Sequence, residues 1–195
     1  MTGWQERYRG PWWVVARRRA ALVGRVVDGA TGAPLAGALV TVIATSAASG
    51  ARLVCRADGS FVALTLPSGT YTLVAAAPHL GGRFGEHTVT GVVVPPAGEA
   101  ARDVVELRLP PTGVAGVISA VGANGAAAPL EGALVRLVGH GAAQTGKDGA
   151  FVLSGAPAGQ QVLEVAAEGF RPLRAALDLR AGETASYTAT LEPDG

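Results

Sequence analysis

The sequence predicts an all-β protein built from two similar β-sandwiches in tandem. The 195-residue chain contains 28 Gly and 12 Pro among many Val, Thr and Leu, a mixture that favours short strands joined by turns over helices. Motifs that recur in the same order indicate an internal duplication. Apolar and polar residues alternate between these motifs, as they do in half-buried strands. The length also fits two small domains.

Four motifs occur once in each half of the chain. The pairs are 34–40 with 129–135, 58–61 with 148–151, 66–69 with 156–159, and 97–99 with 181–183. Their offset falls from 95 to 84 residues along the chain, because surface loops tolerate changes in length at little entropic cost. The chain is therefore interpreted as a tandem duplication.

The residues of these motifs have mechanical explanations. Pro34 and Pro129 fix φ at the end of a turn that leads into a strand. The Asp-Gly pairs of the second motif predict hairpin turns, because Gly accepts the positive φ of a tight turn. Phe61 and Phe151 follow these turns and are predicted to begin strands that face the core.

Period-two alternation sets the faces of the predicted strands. Residues 105–109 place Val and Leu on one face and Glu106 with Arg108 on the other, and residues 184–191 place Ala, Tyr and Leu inward and Thr and Ser outward. The first copy is predicted to have strands at 21–27, 38–44, 52–57, 60–65, 70–76, 88–94 and 102–109. The second is predicted to have them at 113–119, 133–139, 142–146, 150–154, 161–167, 173–179 and 184–191. Seven short strands per copy are the number expected of a sandwich.

The predicted domains are an N-terminal arm at 1–20, a first sandwich at 21–110 and a second sandwich at 111–195. The sequence Pro-Pro-Thr-Gly at 110–113 joins the two copies. Because two prolines make a short linker stiff and extended, we expect a nearly fixed angle between the sandwiches.

Several motifs together resemble the carboxypeptidase regulatory-like family. They are GRVVD at 24–28, TGAPLAGA at 31–38, DGSF at 58–61 and LPSGTYTL at 66–73. The resemblance covers nearly all of 21–110 and, more weakly, 113–192. It implies the transthyretin-like (prealbumin-like) Greek-key β-sandwich in both copies. The second copy departs from the pattern, with Gln-Gln-Val at 160–162 where the first has Thr-Tyr-Thr at 70–72.

No catalytic, cofactor-binding or metal-binding residues are predicted, so we expect neither an enzyme nor a cofactor. A carboxypeptidase would require a separate, large zinc-binding domain with His and Glu at short spacing. His79 and His87, with Glu86 beside them, are interpreted as solvated loop residues in preference to a metal or catalytic pair. His140 lies in the other copy. No small-molecule substrate is evident.

Cys55, Asp58 and Asp148 are interpreted as structural residues. Cys55 is the only cysteine, which excludes an intrachain disulfide, and it is predicted to be a small buried apolar side chain. Asp58 and Asp148 are assigned to turns, because a calcium loop needs several oxygen ligands at close spacing.

The N-terminal arm has an unusual composition. Residues 1–20 contain all three Trp of the chain and carry a charge of +4, whereas the whole chain carries only +1. A net charge of this size argues against nucleic acid as a partner. Trp, Tyr and Arg dominate interface energetics, and the predicted docking residues are Trp4, Tyr8, Trp12, Trp13, Arg17, Arg18 and Arg19. The arm is expected to dock on a neighbour, as an added strand or as aromatic anchors, or to fold back over the first sandwich.

No apolar stretch reaches the length of a membrane span, and membrane contact is not expected. The apolar run at 11–16 is followed by Arg17, Arg18 and Arg19 and is too short for the core of a signal peptide. Export by an ordinary signal is therefore not expected. The chain is predicted to be cytoplasmic or to belong to an assembly built in the cytoplasm.

Three classes of function follow, in order of preference. The first is a non-enzymatic structural or adaptor protein in a multisubunit assembly, such as a phage-tail-like, filamentous or envelope complex, with protein subunits and possibly itself as partners. The second is a carbohydrate- or peptide-binding accessory module, which requires exposed aromatic side chains on a sandwich face. The third is an enzyme on a transthyretin-like fold.

Overall fold

The computed structural model describes residues 21–45, 50–96, 104–122 and 125–194. Fifteen strands run through these residues, with one short 3-10 turn at Pro78–Leu80, so the predicted all-β class is confirmed. The chain divides into two compact units, Met1–Ala76 with His87–Leu109 and Ala77–Glu86 with Pro110–Gly195.

The described part of the first unit contains seven strands in two sheets. They are β1 (Leu22–Asp28), β2 (Leu39–Ala44), β3 (Gly50–Val54), β4 (Ser60–Ala63), β5 (Gly69–Ala76), β6 (His87–Val94) and β7 (Val104–Leu109). One sheet has the order β4-β1-β7 and the other has the order β3-β2-β5-β6. Strand β1 pairs with β4 in the antiparallel sense and with β7 in the parallel sense. Val26, Phe61, Leu73 and Leu107 are buried in this unit.

The second unit repeats this arrangement. Its strands are β8 (Gly113–Val121), β9 (Ala127–Pro129), β10 (Leu134–Leu137), β11 (Gly141–Gln144), β12 (Ala150–Ser154), β13 (Gly159–Ala166), β14 (Leu173–Leu179) and β15 (Thr184–Leu191). The sheets have the orders β12-β8-β15 and β11-β10-β13-β14, with β9 paired to β8. The core contains Val114, Ile118, Leu163, Leu179 and Leu191.

All fourteen predicted strands are present, and their described ends differ from the predicted ends by at most three residues. Residues 102 and 103, the predicted start of 102–109, lie outside the described residues. The second unit adds the short strand β9, in which Pro129 pairs with Ser119. The corresponding pairing in the first unit is the isolated bridge between Val27 and Pro34. The same contact therefore occurs in both units, but only the second extends it to three residues.

The Asp-Gly turns have one geometry in both units. Asp58 Oδ1 accepts a hydrogen bond from the N–H of Ser60 at 3.1 Å, and Asp148 Oδ1 accepts one from the N–H of Ala150 at 3.1 Å. Gly59 and its counterpart both have φ of 73°, which is the conformation that Gly adopts without strain. The flanking strands belong to different sheets, so each turn carries the chain from one sheet to the other and the expected hairpin within one sheet is not formed.

Residues 77–86 belong to the second unit by their contacts, although the sequence motifs place them within the first copy. The buried Thr112 holds them there. Its hydroxyl donates to the carbonyl of Gly82 at 2.7 Å and accepts from the N–H of Gly182 at 2.7 Å. The predicted domain boundaries and the stiff linker angle stay predictions.

Candidate interaction surfaces

The predicted docking residues of the arm, Trp4 to Arg19, lie outside the described residues. The surfaces that the structure does describe are the outer faces and the edges of the sandwiches. Two outer faces carry a carboxylate held between two arginines.

The first of these clusters lies on the sheet β11-β10-β13-β14. The register pairs Arg136 with Glu164 and Glu164 with Arg174, so the three side chains form one row across β10, β13 and β14. Arg136 Nε donates to Glu164 Oε2 at 2.5 Å, and Arg174 Nε donates to Oε1 at 2.5 Å. Arg136 Nη2 also contacts Oε2, and Arg174 Nη2 also contacts Oε1. Each oxygen of Glu164 is therefore engaged by both Nε and Nη2 of one guanidinium group, in charge-assisted hydrogen bonds.

The arginines also determine the charge that this row presents. Hydrogen bonds from Arg136 and then Arg174 hold the pKa of Glu164 below its usual value. The Glu164 side chain is 13% exposed, whereas those of Arg136 and Arg174 are 57% and 72% exposed. The row is thus an ionised triad of net charge +1 whose outward parts are guanidinium heads.

Apolar side chains surround the Arg136–Glu164–Arg174 row. Leu134 and Val162 are 42% and 41% exposed, and Val138, directly after β10, is 44% exposed. Leu134 and Leu173 also help to line a depression of about 360 Å³ beside the row. Arginine beside exposed apolar side chains is a composition that protein interfaces favour. We name this surface, formed by Leu134, Arg136, Val138, Val162, Glu164 and Arg174, the β10–β14 face.

The second cluster lies on the sheet β4-β1-β7 of the first unit. Arg25 Nε donates to Glu106 Oε2 at 2.6 Å, and Arg108 Nη2 lies 2.7 Å from Oε1. The hydrogen bond from Arg25 is the main cause that lowers the pKa of Glu106. The outward positions of Glu106 and Arg108 agree with the predicted alternation. Because this sheet is not the counterpart of the one that carries Glu164, the two clusters are not copies made by the duplication.

The cysteine and the histidines are placed as follows. Cys55 is 5% exposed, and burial, followed by the charge of Asp58, raises its pKa to about 11. His79 lies in the 3-10 turn and His87 begins β6, while His140 lies in the turn before β11. Within the described ranges, no three His, Cys, Asp or Glu side chains lie close enough together to hold a metal ion.

The described residues also contain no helix with the length and apolarity required to cross a membrane.

Sequence reasoning did not identify Arg136, Glu164 and Arg174 as a cluster. The period-two alternation directs all three side chains outward on their strands, and this was a usable signal that they share a face. What was missing was the register, because the paired residues are 28 and 10 positions apart in the chain and a shift of one residue would move each side chain to the other face.

Solved structures that are similar to this chain in backbone arrangement share little sequence identity with it. The Bacillus anthracis TIE protein is 14% identical, with a TM-score of 0.41 over 88% of this chain and 34% of that chain. GBS52, the minor pilin of Streptococcus agalactiae, is 14% identical, with a TM-score of 0.36 over 89% of this chain and 97% of that one. Fervidolysin from Fervidobacterium pennivorans, a keratinolytic enzyme related to subtilisin, is 13% identical, with a TM-score of 0.41 over 82% of this chain and 29% of that one.

This chain thus spans about a third of the TIE protein chain. At these identities and TM-scores the similarities carry no argument about activity. A search of curated proteins found no match.

The family comparison agrees with the repeated motifs and with the two units. The model of the carboxypeptidase regulatory-like domain matches residues 21–108 and again residues 114–192. These two segments together include most of the chain, and each contains the buried Phe that follows an Asp-Gly turn. The chain belongs to the carboxypeptidase regulatory-like domain family, of which it contains two tandem copies.

Proposed function

We propose that this chain is a non-enzymatic structural or adaptor component of a larger multisubunit assembly. It docks on protein subunits through its N-terminal arm and through the outer faces and edges of its sandwiches. The observation that carries this proposal is the β10–β14 face, where two exposed guanidinium groups lie among exposed Leu and Val side chains.

The polar residues of the shared motifs support a structural function, because hydrogen bonds within the fold account for them. Asp58 and Asp148 accept backbone N–H groups in their turns. The hydroxyl of Tyr71 donates to the carbonyl of Pro67 at 2.8 Å. In the second unit Gln161 Nε2 donates to the carbonyl of Pro157 at 3.2 Å, so the departure from the family pattern preserves the hydrogen bond. These side chains hold turns closed and are not available for bond-making chemistry.

The aromatic residues support docking over carbohydrate binding. A sugar-binding face presents exposed aromatic rings. Of the described aromatics, Phe61, Tyr71 and Phe151 are buried, and the remaining three, Phe84, Phe170 and Tyr187, are half-buried. The described sandwich faces therefore offer arginine and aliphatic side chains to a partner, which suits a protein surface better than a sugar.

Deleting residues 2–19 tests the contribution of the arm. We expect the tagged full-length chain to co-purify from its native source with stoichiometric protein companions, and the deleted chain to lose them while its melting temperature is unchanged. A large fall in melting temperature would show instead that the arm folds back over the first sandwich. A full-length chain that is purified as a stable monomer without companions would contradict the assembly function itself.

The β10–β14 face has its own test. Replacing Arg174 by Glu reverses a charge that is mostly exposed, so we expect companion binding to weaken and folding to persist. Arg171→Glu is the matched control, because the Arg171 side chain is 63% exposed, against 72% for Arg174. It lies outside this face, with its Nε 4.0 Å from Asp194 Oδ1. Equal binding by both variants would exclude the β10–β14 face as a docking surface.

A further inference from the structure

Strand β15 has an edge that is open as far as the described residues show. It is the outermost strand of its sheet and pairs in parallel with β8 over its whole length, from Thr184 with Gly113 to Leu191 with Ala120, without a register shift. None of the described strands pairs with its other side.

The direction of the backbone groups follows from a hydrogen bond at the start of the strand. The carbonyl of Glu183 accepts the N–H of Gly113 at 3.0 Å, so Glu183 faces β8. Because the backbone groups of successive strand residues point to opposite sides, those of 184, 186, 188 and 190 face the open edge. The carbonyl of Glu192 also points outward, where it accepts the N–H of Arg171 at 2.9 Å. The open edge therefore extends over 184–190.

Proteins normally protect such edges with charged residues, proline or a bulge. The counterpart of β15 in the first unit is β7, which carries Glu106 and Arg108. The edge strand β14 carries Arg174 and Asp178. Strand β15 has the sequence TASYTATL, with no charge and no proline, and its register is continuous. The edge strand β6 is equally long and carries no charged residue other than His87, but its register with β5 shifts between Tyr71 and Leu73, and such a bulge protects an edge. The remaining uncharged edge strands among the described residues have three to five residues, so β15 is the longest uncharged edge with a continuous register.

The side chains of the open segment are also arranged almost symmetrically about Tyr187. Read outward from Tyr187, it has Ser186 and Thr188, then Ala185 and Ala189, then Thr184 and Thr190. An antiparallel copy rotated by a two-fold axis at Tyr187 therefore places hydroxyl opposite hydroxyl and alanine opposite alanine. The residues whose backbone groups face outward, 184, 186, 188 and 190, become the hydrogen-bonded pairs. Thr and Ser pairs of this kind stabilise antiparallel sheets.

We propose that two copies of this chain pair through β15 in the antiparallel sense, with Tyr187 at the two-fold axis. The sheet β12-β8-β15 then continues into the same sheet of the second copy. A strand without charge meets itself with no like charges opposed. Isologous two-fold contacts are the commonest form of homo-oligomer. The biological role of this pairing, but not its geometry, rests on the assembly function proposed above.

The first test is the mass of the full-length chain in solution, measured by light scattering and sedimentation over a range of concentrations. We expect twice the 19.5 kDa of one chain. Thr188→Pro should return the monomer, because the N–H of Thr188 faces the open edge and its loss removes no bond to β8. Near-ultraviolet circular dichroism and melting check that the variant is folded.

A charge variant makes the test independent of proline. Replacing both Ser186 and Thr188 by Lys opposes lysines across the two-fold axis, so we expect the monomer. Thr88→Lys/Thr90→Lys is the matched control, since both threonines are exposed on the edge strand β6, and it should remain dimeric. A chain that is monomeric at every concentration, or a dimer that persists in the Pro and Lys variants, would overturn the proposal.

A disulfide reports the register. Ala185 of one copy faces Ala189 of the other as a non-hydrogen-bonded pair, whose Cα atoms lie about 4.5 Å apart, within the range that a disulfide bridges. Within one chain the same two positions are about 13 Å apart along the strand. The Ala185→Cys/Ala189→Cys variant should therefore form a covalent dimer on oxidation. If the dimer forms without this cross-link, the proposed register is wrong.

The measurements are repeated on the chain that lacks residues 2–19. We expect the dimer to persist, because no residue of the arm belongs to β15. If the deleted chain loses its companions but stays dimeric, the arm binds the companions and does not form the dimer. Loss of the dimer on arm deletion would contradict pairing through β15.

Discussion

The ring of Phe61 lies directly over Gly24, its cross-strand neighbour on β1. A Cβ atom on Gly24 would lie 2.3 Å from Phe61 Cζ and 2.5 Å from the carbonyl oxygen of Val105. The second unit pairs Gly116 with Phe151 in the same way, and there a Cβ would lie 1.6 Å from the carbonyl oxygen of Tyr187. The close approach of an inner-face Gly to its neighbours is thus common to both copies.

Gly24→Ala should therefore destabilise the first unit. The added methyl group would lie closer than 3 Å to a buried ring and to a backbone oxygen, so at least one of them must shift. We expect a loss of about 1–3 kcal/mol in the free energy of unfolding, measured by urea denaturation. Gly141→Ala is the control, because a Cβ at Gly141 meets nothing within 4 Å, and its effect should stay within about 0.5 kcal/mol. Equal stability of the two variants would show that the Phe61 ring yields.

Thr145 and Cys55 occupy equivalent positions, and only Thr145 has a hydroxyl. Its Oγ1 donates to the carbonyl of Leu130 at 2.5 Å and accepts from the N–H of Ala133 at 2.9 Å. Thr145→Val should leave the Leu130 carbonyl and the Ala133 N–H without the hydroxyl as a partner. We expect the free energy of unfolding to fall by about 1–3 kcal/mol, as measured from the unfolding transition of the second unit.

The reverse exchange, Cys55→Thr, is the matched control. The N–H of Cys55 donates to the carbonyl of Ala38 at 2.8 Å, as the N–H of Thr145 donates to that of Ala133 at 3.0 Å. The added hydroxyl can therefore bond to the corresponding turn, and we expect no loss of stability. A destabilised Cys55→Thr chain would contradict the equivalence of the two sites.

Burial also makes the thiol of Cys55 unreactive. With its pKa raised to about 11 from the ordinary 9.0, little thiolate exists at pH 8, and Ellman's reagent should label Cys55 only as fast as the chain unfolds. Because the folded state holds the proton more tightly than the unfolded state, stability should fall as pH rises from about 9 towards 11. Cys55→Ser should lack the part of this fall that belongs to the thiol. Rapid labelling of the folded chain at pH 8 would show that the thiol is accessible.

Glu164 should give the opposite pH dependence. Its pKa in the folded state is lowered by hydrogen bonds from Arg136 and Arg174, so its contribution to stability is present above the ordinary value of 4.5 and is lost as pH falls through the folded value. In Glu164→Gln the two arginines face each other without a counter-charge, and this part of the acid dependence should disappear. Chemical denaturation between pH 7 and pH 3 measures it, with Glu168→Gln as an exposed control. Retention of the full acid dependence in Glu164→Gln would contradict the role assigned to the triad.

The sequence by itself determined the class of fold, the duplication and the strands. Residues 173–179 and 184–191 were predicted with the bounds that the structure has. The reason is that these features depend on local chemistry. Alternation decides which side chains are buried, as in 184–191, where Ala185, Tyr187 and Ala189 pack on the core and the Thr and Ser between them are exposed. Asp-Gly likewise specifies a turn through its own backbone preferences.

Tertiary structure alone decided which distant residues meet. The row of Arg136, Glu164 and Arg174 depends on the register of three strands, and the crossing of the Asp-Gly turns between sheets depends on how the sheets stack. The open edge of β15 also depends on strand order, which no local pattern encodes. Register and order are set by the packing of the whole core, since every inward side chain must fit at once. The sequence therefore determined what each strand is, and the three-dimensional packing decided what each strand faces.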